Sequence, residues 1–203
     1  MTEQHPSLPG LIADDSLADT PDAWQVARSE TILDSSYLSL RSDVIVDPTG
    51  AEHTRAVVAP NGAVAVVALD ADDRLLLVEQ YRHPMGSRLL ELPAGTLDVE
   101  DEAPLEAARR ELAEEADVVA DSWTSLLDLA MSPGHSTERI EVFVATGITA
   151  VPDADRTTRE AEEAGMTQWW LPFDEAVTAV LAGRVSDAKT VAAILAVQAQ
   201  RSR

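Results

Sequence analysis

The chain has 203 residues and no cysteine, which excludes disulfides, thiolate metal sites and cysteine nucleophiles. Its 36 acidic and 15 basic residues leave a net charge of −21; this opposes nucleic-acid binding through a basic face and requires an anionic substrate to meet metal ions or placed arginines. Apolar residues make up 45%, enough for one buried core, no run approaches membrane-spanning length, and no secretory leader is visible, so a cytoplasmic protein without membrane or nucleic-acid partners is expected.

Residues 1–22 are rich in Pro, Asp and Ser without periodicity and read as a mobile tail. Residues 23–59 read as a small antiparallel strand region. Trp24, Val26 and Arg28 alternate, a strand over 37–46 runs into the turn Asp47-Pro48-Thr49-Gly50, and 53–58 returns as the second strand of a hairpin. This region is too small to fold alone and must pack on the main domain or on a second copy.

The main domain spans 60–203. Residues 63–69 form a continuous apolar run, as a strand buried on both faces does. A turn at 70–73 and a returning strand at 75–79 precede a loop, Gln80-Tyr81-Arg82-His83-Pro84. The apolar run Leu89, Leu90, Leu92 stops at Pro93 and turns at Gly95. A helix should follow, with Asp101 or Glu102 as its cap, Pro104 in its first turn and a core stripe of Ala107, Ala108, Leu112 and Ala116. Strands at 126–131 and 140–146 flank the loop 132–138. A long acidic loop covers 147–165, then come a strand at 167–171, a helix at 173–182 ended by Gly183, and a final helix capped by Ser186 and running to about Gln200. Strands before and after helices in mixed order predict an α/β/α sandwich with a mixed sheet.

On the first helix Glu111, Glu114 and Glu115 share one face. Carboxylates this close repel by roughly 4 kcal/mol per pair at 4 Å and an effective dielectric of 20. A hard divalent cation reverses that sign, whereas a solvated acidic face is the alternative that spacing alone leaves open. The order of residues says more. The stretch 93–118 resembles the Nudix box, G-x5-E-x7-R-E-U-x-E-E-x-G-U with U a bulky apolar residue, through Gly95, Glu102, Arg110, Glu111, Leu112, Glu114, Glu115 and Val118. It departs twice: six residues separate Gly95 from Glu102, and Asp117 stands where the last glycine is expected. The extra residue falls in a loop, where length costs little; Asp tolerates the left-handed conformation of a helix end better than most side chains.

Within the Nudix superfamily the chain is most similar to the ADP-ribose pyrophosphatase group. The resemblance covers roughly 24–200: the N-terminal strands, the Gln80-Tyr81-Arg82 segment, Pro133 fifteen residues after Val118, and the acidic pair Glu162-Glu163. It implies a Nudix-type α/β/α fold, homodimerisation, and Mg²⁺ or Mn²⁺ held by Glu111, Glu115 and the Ala94 carbonyl, with Glu114 alongside as a catalytic carboxylate. Arg110 would pair with Glu102 to orient the helix. Arg82 and Arg41 are candidate substrate contacts, Pro133 a specificity mark, and Glu138 the candidate general base with Glu162 and Glu163 as rivals. Trp24 and Tyr37 read as core aromatics or as adenine-stacking rings, and Trp169-Trp170 as one core ring and one covering the site. His83 and His135 lack metal-ligand partners at sensible spacing. The activity implied is metal-dependent hydrolysis of ADP-ribose to AMP and ribose 5-phosphate. A different nucleoside diphosphate derivative, such as a sugar nucleotide, or a non-catalytic nucleotide sensor are the alternatives.

Overall fold

In a computed structural model the structure describes residues 3–159 and 164–203; the pair Glu162-Glu163 lies outside the described residues. The N-terminal stretch holds a two-residue ladder between β1 (Glu3–Gln4) and β2 (Leu11–Ile12). β3 (Gln25–Asp34), β4 (Leu38–Val46) and β5 (Glu52–Pro60) form an antiparallel three-stranded sheet in that order. The expected hairpin is therefore a meander, because 25–34 also pairs with β4 along its length. β3 is exposed at every position, and Trp24 and Tyr37 are exposed too, so neither is a core ring of this chain.

β6 (Ala63–Ala68) is the strand around which the rest is layered. Its apolar run is explained by alternate burial: Val64, Val66 and Ala68 join one core cluster, Ala65 and Val67 another. The first cluster is closed by α1 (Pro104–Ala116) through Ala107, Ala108, Leu112 and Ala116, the second by α2 (Phe173–Leu181) and α3 (Ala188–Arg201). The architecture is thus the expected α/β/α sandwich. β6 lies between the short β9 (Ala94–Thr96), antiparallel, and β11 (Arg139–Ala150), parallel, with β10 (Val118–Ala130) beyond, giving a mixed sheet.

β7 (Arg74–Arg82) does not return alongside β6. Apart from one bridge between Leu69 and Leu75 it crosses into a second sheet, flanked by β8 (Ser87–Glu91) and β12 (Thr167–Pro172). The segment expected as a loop at 80–84 is instead the end of this strand, paired through Tyr81 with Arg88 and Arg82 with Ser87, followed by a 3-10 turn at His83–Met85. Its polar residues hide the strand from a hydrophobicity pattern because ladder hydrogen bonds, not apolar alternation, hold it. Two caps also differ. The N-cap position of α1 is Ala103, with no side-chain cap and its carbonyl accepting from the Glu106 and Ala107 amides (2.9 and 3.0 Å), while Asp101 lies earlier at φ 61°. α3 is capped by Asp187, whose carboxylate accepts from the Thr190 amide, and not by Ser186. The long loop begins after β11, four residues later than 147.

Among the described residues no helix is long and apolar enough to cross a membrane. Because α1 is held on β6 chiefly by its apolar face, Leu112→Ala, at a fully buried position, is expected to cost about 2–5 kcal/mol in urea unfolding.

Candidate active site

The site begins with a close approach. Gly95 pairs with Val64 in the β6–β9 ladder, and the Glu111 carboxylate lies against its backbone. A Cβ at position 95 would fall 1.8 Å from Glu111 Cδ, so only glycine admits this packing. One helical turn on, the buried Glu115 accepts a hydrogen bond from the Ala94 amide at 2.8 Å. Glu111, Glu114, Glu115, Ala94 and Arg82 line one cleft of about 330 Å³.

Arg110 is the cation that bonds the helix carboxylates of this cleft. Its Nε and Nη2 donate to the two Glu102 oxygens at 3.1 and 2.9 Å, as expected. Its Nη1 donates to Glu111 at 2.6 Å and to Glu114 at 3.1 Å, a role that spacing did not reveal. These bonds hold Glu102 below the usual carboxylate range and raise Arg110. Glu111 moves the other way: burial pushes its carboxyl up, against the pull of Arg110. Among the described residues no three carboxylates or imidazoles converge on one point as placed. The donor set nonetheless suits a hard cation, since three carboxylates and the Ala94 backbone share a polar cleft and at least one is costly to ionise there.

Arg82 lines this cleft and also a second, of about 510 Å³, which holds Glu138. Its Nε and Nη2 grip the two oxygens of Glu91 at 2.7 and 2.8 Å. Glu91 is buried, yet its bonds to Arg82 and Lys189 outweigh the upward push of burial and hold its carboxyl low. Glu138 sits at the root of the loop 132–138, where its carbonyl accepts from Met131. That loop is tied to β5 by reciprocal bonds of Val58 with His135 and Thr137.

The other predicted site residues are not gathered here. Pro133 is exposed in the loop and lines neither cleft. Arg41 pairs with Asp43 at 2.9 Å in the N-terminal sheet. Trp169 and Trp170 are 50% and 37% exposed, so neither is the expected core ring. Both line a third cleft on the other sheet. His83 and His135 are exposed.

Residues 59–194 match the NUDIX domain. The chain belongs to the NUDIX family. It is 43% identical over 176 residues to an ADP-ribose pyrophosphatase of Mycobacterium tuberculosis, covering 87% of this chain and 84% of that one. It is 33% identical over 175 residues to a methanol dehydrogenase activator of Bacillus methanolicus, covering 86% and 92%. A solved structure described as an ADP compounds hydrolase shares the fold, with a TM-score of 0.75 at 22% identity over 90% of this chain and 96% of that one.

The NUDIX box departure at Asp117 has a structural counterpart. Asp117 ends α1 in the left-handed region (φ 51°, ψ 32°), and its amide donates to the Ala113 carbonyl. Its carboxylate is engaged as well: Arg159 Nη2 donates to one oxygen at 2.6 Å, while Arg159 Nε donates to the Glu114 carbonyl at 2.9 Å. Among the described residues the other oxygen, Oδ1, is buried without a hydrogen-bond partner. Neither Arg159 nor the Glu91–Lys189 pair was found by sequence reasoning. Lys189 did carry a signal, as the single lysine of the chain.

Two outcomes follow from this geometry. Gly95→Ala should fold, because a side chain and not the backbone must yield, but displacing Glu111 should lower turnover on the order of 10²-fold. For Asp117, relief of left-handed strain and loss of the Arg159 ion pair oppose each other. Asp117→Gly should therefore stabilise the protein in an Arg159→Ala background and not in the wild type. Thermal unfolding of the four proteins measures the coupling, and equal effects in both backgrounds would show that the pair carries no energy.

Proposed function

We propose that this chain is a metal-dependent pyrophosphohydrolase that cleaves ADP-ribose to AMP and ribose 5-phosphate. The observation that carries the reading is one cleft lined by Glu111, Glu114, Glu115 and Ala94 with Arg82 at its border, in a NUDIX chain similar over most of its length to an ADP-ribose pyrophosphatase. In this reading Glu111, Glu115 and the Ala94 carbonyl hold Mg²⁺ or Mn²⁺, with Glu114 beside them as a catalytic carboxylate. When bound, the cation supplies positive charge for the diphosphate oxygens.

The chain's own residues do the rest. Arg82 spends two N–H groups on Glu91 and keeps three for a phosphate. Hydrolysis adds a water oxygen to phosphorus, breaks the bridging P–O bond, and requires a base for the water proton. Glu138 is that base in this reading: it is partly buried and lines one cleft with Arg82, and among the described residues its carboxylate has no hydrogen-bond partner. Glu162 and Glu163 remain its rivals. Pro133 and Arg41 would contact substrate only with a second copy or a shifted loop. The reading accordingly includes a homodimer, supported by the exposed Trp24, Val26, Ile32, Leu33 and Tyr37 of the N-terminal region. It also includes a cytoplasmic location, in keeping with a chain that uses no cysteine.

A panel of nucleoside diphosphate derivatives with Mg²⁺ or Mn²⁺, with and without chelator, tests the substrate. ADP-ribose should be among the best and should yield AMP and ribose 5-phosphate. A sugar nucleotide far ahead of it overturns the substrate assignment, and no hydrolysis with any metal leaves a nucleotide sensor. Glu138→Gln should lower kcat by roughly 10²–10⁴ while metal affinity is kept. Lost metal affinity would instead make Glu138 a ligand.

A further inference from the structure

Lys189 is the only lysine of a chain whose other strongly basic residues are all arginines. It is also one of the few buried charges, 7% exposed against 2% for its partner Glu91. Its ammonium donates to Glu91 Oε2, the oxygen that also accepts from Arg82 Nη2, and to Asp187 at 3.1 Å. Asp187 in turn caps α3 through the Thr190 amide and hydroxyl, at 3.0 and 2.7 Å. The Thr190 hydroxyl accepts from the Leu92 amide at 2.9 Å, two residues before Ala94. A chain of buried and partly buried hydrogen bonds thus runs from the first turn of α3 to both Arg82 and the strand end at the carboxylate cleft.

The charges give this chain a direction. Glu91 and Asp187 face Arg82 and Lys189, so the four sum to zero. Without the ammonium, the guanidinium that borders the carboxylate cleft would be outnumbered by Glu91 and Asp187, and this cluster would add a negative charge to a cleft that also holds Glu138. The ammonium, a compact charge on a flexible stem, reaches both carboxylates at once. We infer that Lys189 is a positioning residue that neutralises Glu91 and so leaves Arg82 free to attract the substrate diphosphate. It touches no substrate itself and acts through Arg82.

This rests on the pyrophosphohydrolase reading of the cleft, and the test separates the two. Wild type, Lys189→Met and the double variant Lys189→Met with Glu91→Gln are compared. KM and kcat are measured for ADP-ribose with Mg²⁺, and the Kd of ADP-ribose is measured by calorimetry in EDTA. Lys189→Met should raise KM and Kd roughly tenfold or more with kcat within a few-fold, since Arg82 binds ground and transition states alike. Removing the Glu91 charge as well should bring both constants back toward wild type. The double variant removes both charges of the buried Lys189–Glu91 pair and leaves Asp187 its hydrogen bonds to Thr190, so it keeps the test alive if Lys189→Met alone fails to fold. Wild-type KM and Kd in Lys189→Met, or a double variant whose KM and Kd stay far above wild type, overturns the inference and leaves Lys189 as packing. A wild-type protein that binds ADP-ribose yet hydrolyses no diphosphate derivative sinks the catalytic reading instead, and the calorimetric comparison still decides the role of Lys189.

Discussion

The absence of a side chain at Gly95 sets the distance between the first helix and the strand beneath it, and the site is built from that distance. With no Cβ in the way, the Glu111 carboxylate rests on the backbone of β9 and Glu115 reaches the Ala94 amide one turn later. The apolar stripe beside these carboxylates on the same helix is seated on β6, which is buried from both sides. The helix therefore has neither axial nor rotational slack. Its carboxylates are held together against their repulsion by packing, and Arg110 offsets part of that cost by bonding three of the acids at once.

Charge is distributed unevenly in a way that net charge conceals. The excess of acids gives the molecule a field that repels an anionic substrate at long range, though at physiological ionic strength screening shortens it to about 8 Å. Close to the clefts, the balance is local. Arg110, Arg82, Lys189 and Arg159 are each tied to carboxylates or carbonyls around the first helix and the strand ends. Cations thus stand beside the buried Glu91 and the partly buried Glu102, Glu111 and Asp117.

Much of this was legible from residues near one another in the chain. The run at 63–69 announced a strand covered on both sides, and the helix carrying Glu111, Glu114 and Glu115 was fixed by a core stripe of four small or apolar residues. Arg110 and Glu102 were paired correctly from the order of the box. What stayed hidden was set by partners far along the sequence. β7 has the composition of a strand that could return along β6, and only the presence of β8 and β12 draws it into a second sheet. Glu91 and Lys189 are 98 residues apart, and no local pattern joins them. Exposure of Trp24 and Tyr37 excludes the core alternative for both, and Trp169-Trp170 lack the expected core ring, for a related reason: aromatic composition signals burial somewhere, without saying whether this chain supplies the cover.

The end of the first helix has a historical implication. Arg159 makes two bonds there, one to the Glu114 carbonyl and one to the Asp117 carboxylate, and the first does not need an aspartate at 117. An ancestor with glycine at that position could accept the arginine at once, because the helix end offers unsatisfied carbonyls to any donor. The reverse order is uphill, since an aspartate arriving alone would put a half-buried negative charge at the negative end of a helix in a backbone conformation that disfavours side chains. Of the two changes that separate a glycine at 117 from the Asp117–Arg159 pair, placing the arginine first is therefore the order of lower energetic cost.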